Sequence, residues 1–198
     1  MTSKLSAARA FIEQVAGEPR VILDREGLRP YLSRHYLLGR PTMFDGSKPW
    51  DANGNPKREA MFPDGVGVYL HRFHQGDTGW MHNHPWEWAL SLVLEHGYRE
   101  ERVDPITLHG QRGIPTAEGH GYTTNDWRPR DVNLITHDTF HRVTLLGEWR
   151  GQGDDDWAVL EPTTLFVTGP KTGTWGFWDE ENGRCVPWRE HLAAQRGG

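Results

Sequence analysis

Histidines in two separate segments have the spacing of a metal site. His82 and His84 are separated by one residue, and His141 follows 57 residues after His84. In a β-strand, residues two apart point to the same face, so the first two imidazoles are expected on one side, about 6–7 Å apart along the chain. A firmly held divalent ion needs at least one further ligand. We predict that His141, which opens the apolar segment 141–146, supplies it from a strand opposite the first pair.

The chemistry of this donor set favours one divalent transition metal. Neutral imidazole nitrogens suit zinc, iron, nickel, copper and manganese, whereas magnesium and calcium prefer oxygen ligands. Iron is the metal that we expect, with zinc, manganese and nickel as alternatives. His137 lies four residues before His141, a spacing that does not suit a turn into a strand. We therefore interpret His137 as a pocket residue or a support for the ligands.

Composition and charge restrict the class of protein. The chain has 198 residues, enough for one domain with a sizeable core. Its 22 Lys and Arg residues and 27 Asp and Glu residues give a net charge of −5. The sequence therefore has no excess of basic residues that would favour binding to nucleic acid. The single cysteine, Cys185, excludes an intramolecular disulfide and a cysteine-based zinc site. No secretory signal or membrane-spanning apolar run is recognisable, so we expect a cytoplasmic protein without a membrane partner.

The elements that must position the histidines are mostly short strands. The 23 glycines and 13 prolines indicate many turns, which is typical of all-β sandwiches and barrels. Helical spacing predicts helices over 3–16 and 30–38, with a short strand at 21–23 between them. A loop over 40–64 and a glycine-rich insertion over 110–130 interrupt the pattern. The predicted strands of the barrel are 67–73, 80–84, 88–94, 98–103, 106–109, 133–136, 141–146, 158–168 and 175–178.

Two motifs resemble those of the cupin superfamily. The pattern G-x5-H-x-H at residues 76–84, with Gly97 after the next strand, is similar to the first cupin motif. The pattern T-x-D-x-x-H at 136–141 is similar to the second, which normally reads P-x-G-x-x-H. The resemblance covers roughly residues 65–180. Within it, the segments HNHPW, FHRV and TLFVTGP are similar to small cupins of bacterial and phage genomes.

The resemblance implies an architecture and a set of partners. It implies a double-stranded β-helix, a jelly-roll barrel of residues 65–198 on which a helical extension and loop, residues 1–64, pack within one structural domain. It also implies one metal inside the barrel and a small-molecule ligand or substrate beside it. Small cupins commonly form homodimers, and the predicted strand at 21–23 is available for such pairing.

One departure from the cupin pattern concerns the carboxylate ligand. The family places a glutamate four or five residues after the second histidine and seven before the glycine, and that register falls on residues 88–90, which are Trp, Ala and Leu. Glu87 points inward only if Pro85 shifts the register of the strand. Glu100, just past the glycine turn, is the alternative that we favour. A three-histidine site completed by water is the third alternative.

These features lead to three functional hypotheses. The first, which we favour, is an iron dioxygenase acting on a small organic substrate, because a histidine site with open coordination positions inside an aromatic barrel suits the binding of substrate and O₂. The second is a metal-dependent isomerase or lyase in which Glu100 or His137 moves a proton. The third is a non-catalytic cupin that binds a small ligand, for which the absent motif glutamate is the main argument.

Overall fold

The computed structural model describes residues 4–24, 27–38, 66–103, 123–149 and 157–196. Strands predominate in these residues, with a helix near each end. The helices are α1 (Lys4–Ala16) and α2 (Trp188–Arg196). The strands are β1 (Arg20–Leu23), β2 (Pro30–Leu38), β3 (Gly67–Phe73), β4 (Trp88–Glu95), β5 (Tyr98–Val103), β6 (Thr123–Trp127), β7 (Val132–Thr136), β8 (Phe140–Leu145), β9 (Gly147–Trp149), β10 (Trp157–Val159), β11 (Thr163–Thr168), β12 (Gly176–Asp179) and β13 (Arg184–Pro187).

The strands form two main antiparallel sheets between which the chain crosses repeatedly, and β9 and β10 form a separate antiparallel pair. The larger sheet has the order β1-β2-β3-β11-β4-β7, and the smaller one has the order β6-β5-β8. His82, which precedes β4, bridges His141 of β8 and Phe177 of β12, so the β12–β13 pair continues the smaller sheet. The chain passes between the sheets from β4 to β5, from β6 to β7, from β7 to β8 and from β11 to β12. This winding is a jelly roll, and it confirms the predicted fold class.

The core lies between the two sheets. Alternation along β4 puts Ala89, Ser91 and Val93 on its buried face. Val93 packs against Tyr98 of β5 and Val143 of β8, which belong to the smaller sheet. The side chains of the two sheets therefore meet in one interior.

The N-terminal region contributes directly to the larger sheet. β1 and β2 extend this sheet at one edge, and α1 packs against β2 and β4. Arg9 of α1 forms an ion pair with Glu95 at the end of β4. Neither helix of the described chain is long and apolar enough to cross a membrane.

The prediction of a helix over residues 30–38 is wrong. These residues form β2, which pairs with β1 on one side and with β3 on the other. Tyr31, Leu32 and His35 have helical spacing, but in the strand Leu32 lies opposite Phe73 and is buried. Intrinsic propensity is a weak preference, and hydrogen bonding to two neighbouring strands outweighs it here.

Two predicted strands differ from those in the structure. The predicted strand over 80–84 contains only the isolated bridge at His82, although its backbone is held between two strands. The predicted strand over 158–168 is divided into β10 and β11 by residues 160–162. Pro162 explains this division, because proline has no N–H to donate to a strand ladder.

Further elements lie where the sequence predicts none. β6 lies within the polar insertion predicted over 110–130, and β9, β13 and α2 are absent from the prediction altogether. β6 has no apolar alternation of its own, so its pairing with β5 is what defines it as a strand. The predicted loop over 40–64 and the predicted strand over 106–109 lie outside the described residues.

Candidate metal centre

The structure brings the three predicted histidines together. Each of them contributes one ring nitrogen to a group in which all three nitrogens lie within 4.8 Å of one another. The three residues are His82, His84 and His141. The Nε2 atoms of His84 and His141 are 2.9 Å apart. We call these three residues the histidine cluster. The described residues include no carboxylate in this group of potential ligands.

A reciprocal backbone bridge holds the two motifs against each other. The N–H of His82 donates to the carbonyl of His141 over 3.0 Å, and the N–H of His141 donates to the carbonyl of His82 over 2.9 Å. Asn83, buried between the first two histidines, donates from Nδ2 to the carbonyl of His137 over 2.8 Å. Its Oδ1 accepts from the N–H of Gly176 over 2.7 Å. These contacts hold residues 82–84 in an extended conformation although they are not part of a regular strand. Both imidazoles therefore lie on the same side of the segment.

The loop that precedes His82 is attached to β8. A Cβ atom added at Gly76 would lie 2.9 Å from the carbonyl oxygen of Val143, so the motif glycine is required by close approach of two backbones. The N–H of Asp77 donates to that carbonyl, and Asp77 Oδ2 accepts from the N–H of Val143, both over 2.7 Å. These contacts fix the loop relative to the strand that carries the third histidine.

Glu100 lies behind His141 instead of among the ligand atoms. Its Oε1 is 2.6 Å from His141 Nδ1, and the side chain is fully buried. Trp127 Nε1 donates to its Oε2 over 2.8 Å, and Asn133 Nδ2 and Arg102 also donate to the carboxylate. Burial would raise the pKa of Glu100, but the hydrogen bond from His141 and the charges around it outweigh burial and lower this pKa to about 2.

The ionised carboxylate determines how His141 presents its ring. Since Glu100 can only accept, the hydrogen bond assigns the proton to Nδ1 of His141 and leaves a lone pair on Nε2, which faces the cluster. Burial lowers the pKa of His82 to about 4 and lowers that of His84 well below its usual range. At neutral pH these two imidazoles are therefore in the uncharged form that binds metals.

The cluster fits a divalent transition metal. Two nitrogens that are each about 2.1 Å from one ion, at roughly right angles, are about 3 Å apart. The separation of 2.9 Å between the Nε2 atoms of His84 and His141 has this magnitude. Ring nitrogens without a carboxylate in the group form a donor set for zinc, iron, nickel, copper or manganese.

No family model matches the sequence, and no curated protein matches it. Solved structures do match. A cupin superfamily protein from Desulfitobacterium hafniense is 16% identical, over 56% of this chain and 72% of that one, with a TM-score of 0.34. Other matched structures are those of enzymes. The DMSP lyase of Ruegeria pomeroyi is 15% identical, over 86% of this chain and 65% of the lyase, with a TM-score of 0.45. An oxalate oxidase is 12% identical, over 83% of this chain and 65% of the oxidase, with a TM-score of 0.40.

The packing of β4 accounts for the absence of the glutamate expected at residues 88–90. Of the three residues in that register, Ala89 is the one on the buried face of β4. It packs in an apolar cluster with Tyr69, Ile135 and Phe166, where a carboxylate would be buried without a partner. Glu87 is exposed, and its backbone N–H donates to Pro170.

His137 lies near the histidine cluster but is not part of it. Its side chain is 46% exposed, and its Nε2 is 3.2 Å from Asp138 Oδ1. The contact with the site is made by its backbone, because the His137 carbonyl accepts from Asn83. The sequence therefore locates His137 near the site, and the structure directs its imidazole towards solvent.

Aromatic side chains flank the open side of the cluster. His82 and His84 are partly exposed, whereas His141 is buried. Trp86 stacks on His84 with ring centroids 5.1 Å apart, and Trp175 lies edge-on to His82 at 6.5 Å. Three further tryptophans pack elsewhere: Trp178 packs against Phe140, Trp88 lies over Gly169, and Trp80 contacts His191.

Proposed function

We propose that this chain is a metal-dependent enzyme that binds one divalent transition metal on His82, His84 and His141 and acts on a small organic molecule. The observation that carries this proposal is the convergence of three ring nitrogens, two of them on imidazoles held uncharged by burial. The solvent-accessible side of the cluster is the side on which a small molecule would approach.

We further propose that the metal is iron and the reaction an oxygenation. When bound, iron supplies the redox chemistry by which O₂ oxidises an organic molecule. The chain itself has three tasks in this scheme. Glu100 holds the His141 ring in one orientation, Trp86 and Trp175 contact the organic molecule, and the surrounding aromatic side chains limit access of water.

The environment of Glu100 argues against its alternative role as a proton carrier in an isomerase or lyase. The side chain is fully buried and accepts hydrogen bonds from His141, Trp127 and Asn133. With a pKa of about 2 it has no proton to give at neutral pH, and its oxygens point at protein donors. A proton-transfer mechanism would therefore depend on another group, of which His137 is the candidate from the sequence.

Metal analysis combined with oxygen uptake tests this proposal. Protein purified from a medium containing equal iron, zinc and manganese should carry about one iron per chain, and the iron-loaded protein should consume O₂ when a panel of small organic acids, thiols and phenols is added. Zinc-reconstituted protein is the matched control and should consume none. Full occupancy by zinc from the mixed medium would contradict the oxygenase, and protein that stays metal-free would contradict the metal enzyme altogether.

A further inference from the structure

Ser33, His74 and Glu161 form a hydrogen-bonded chain that shares no residue with the histidine cluster. Ser33 Oγ lies 2.7 Å from His74 Nε2, and His74 Nδ1 lies 2.8 Å from Glu161 Oε1. The serine is on β2, the histidine follows β3 and the glutamate precedes β11. A hydroxyl at Nε2 with an acid at Nδ1 is the order of groups in serine hydrolases, where the imidazole takes the hydroxyl proton and the acid orients the imidazole.

Glu161, the acid that bonds to His74, is itself held in place by an arginine. Arg72 donates from Nε to Glu161 Oε2 over 2.7 Å, which leaves Oε1 to His74. Burial would raise the pKa of Glu161, but the hydrogen bond from His74 and the charge of Arg72 outweigh burial and lower it. The carboxylate is therefore ionised at neutral pH and accepts the Nδ1 proton, so that Nε2 is free to act as a base towards Ser33.

Backbone contacts fix the three segments relative to one another. The N–H of His74 donates to the carbonyl of Tyr31 over 2.9 Å, two residues from Ser33. The N–H of Phe73 donates to the carbonyl of Pro162, next to Glu161, over 3.0 Å. Backbone hydrogen bonds therefore hold together the three segments that carry these side chains.

Ser33 lies on the outer face of the larger sheet. Its neighbours in register are Val21 of β1 and Arg72 of β3, which share its face and are both exposed. A molecule in solution can approach this face without entering the barrel, so any reaction here is separate from the metal centre.

We propose that Ser33 is an activated nucleophile that accepts acyl groups from small activated esters, with His74 as general base and Glu161 as the residue that positions it. The bond from Ser33 Oγ to the acyl carbon forms as the hydroxyl proton passes to His74 Nε2. The bond from the acyl carbon to the leaving oxygen breaks, and the proton leaves with the alcohol. Water then hydrolyses the acyl-serine, giving a carboxylic acid and restoring the hydroxyl.

The position of Ser33 in the sheet limits the range of esters. Strands pair with β2 on both sides, so the N–H groups near Ser33 are used in strand pairing. Because an oxyanion is stabilised chiefly by donors aimed at it, we expect reaction with esters of good leaving groups, such as aryl esters, and not with alkyl esters or amides.

The test uses the full chain with p-nitrophenyl acetate in the presence of a chelator, followed by peptide mapping. We expect nitrophenol release and an acetyl group on Ser33. Ser33→Ala should lose this acetyl group, and His74→Asn should slow its formation on the order of 10²–10⁴-fold. His35→Asn is the matched control on the same strand, since its imidazole bonds the carbonyl of Gly17 instead, and it should react like the wild type.

Three outcomes would overturn the proposal. The first is acetylation that is confined to amino groups. The second is a folded His74→Asn variant in which Ser33 is acetylated at the wild-type rate. The third is nitrophenol release that stops when metal is chelated. Should His74→Asn fail to fold, a fluorophosphonate applied to the wild-type protein decides the matter: modified Ser33 supports the nucleophile, and unmodified Ser33 in folded protein refutes it. None of these outcomes depends on the metal enzyme being correct.

Discussion

Glu100 Oε1 and His141 Nδ1 are 2.6 Å apart in an interior closed to solvent. The glutamate that the resemblance leads us to expect at residues 88–90 is absent, and Glu100 instead contacts His141 at Nδ1, on the side of the ring away from the histidine cluster. It comes from β5, paired with β8 in a register that sets Arg102 opposite His141 and Glu100 opposite Val143. An acceptor in this position fixes the tautomer of the histidine and makes its other nitrogen more basic.

Replacing Glu100 by glutamine should weaken metal binding while preserving the volume of the side chain. An amide is a poorer acceptor for His141 Nδ1, and the loss of such a partner typically costs roughly 10–100-fold in metal affinity. Competition with a coloured chelator measures this change. Glu101→Gln is the matched control, because the adjacent carboxylate pairs with Arg142 on the other face, and it should bind metal like the wild type. Equal affinity in both variants would contradict the role of Glu100.

The metal-free protein should lose stability as pH falls from about 6.5 towards 4. The pKa of His82 is lowered from 6.5 to about 4 by burial, so in this interval the unfolded chain binds a proton that the folded chain does not, and the free energy of unfolding rises with pH. Urea unfolding at pH 7 and pH 5 measures the difference. His82→Gln should show a shallower dependence than the wild type, and an unchanged slope would contradict burial of a neutral imidazole at this position.

Asn83→Ala should destabilise the fold as well as the site. The substitution leaves the carbonyl of His137 and the N–H of Gly176 without their partner, and unsatisfied buried groups cost about 1–3 kcal/mol each. Thermal unfolding of the metal-free protein measures this loss. Asn182→Ala, in the exposed turn between β12 and β13, removes one hydrogen bond, from its Nδ2 to Asp179 Oδ2. The backbone N–H at this position still donates to Asp179, so this variant should cost less. A smaller loss at Asn83 than at Asn182 would show that the segment 82–84 is held by other contacts.

The protein should be a homodimer in solution. β1 is one of the two edge strands of the larger sheet among the described residues, and an edge strand with unpaired backbone groups is suited to pairing with a second copy. Light scattering at micromolar concentration should give twice the chain mass of 22.7 kDa. Ile22→Pro should shift the mass towards the monomer if β1 makes the contact, and a wild-type mass of 22.7 kDa would refute the dimer.

The sequence predicted the histidine cluster because that prediction depends only on local alternation and on the family-like spacing of two motifs. His82 and His84 share a side even though their segment has only one bridge. The position of Glu100 required the register of β5 against β8, and the donor Trp127 lies on β6, whose polar sequence has no strand pattern of its own. Such long-range pairings are invisible to local periodicity.

The wrong prediction for β2 also arises because local spacing does not reveal long-range strand pairing. Its residues have helical spacing, yet the strand pairs on both sides and brings Ser33 to His74. A helix over 30–38 would have separated these two side chains. The Ser33–His74–Glu161 chain therefore could not be inferred before the sheet order was known.

The metal content of His141→Ala compared with that of His137→Ala tests the central claim most directly. Both variants remove one imidazole from the second motif, but only the His141 ring has a nitrogen in the histidine cluster, whereas the His137 ring is directed to solvent. After reconstitution and removal of loosely held metal, His137→Ala should retain close to one metal per chain and His141→Ala should be largely depleted. Depleted His137→Ala together with loaded His141→Ala would contradict the account.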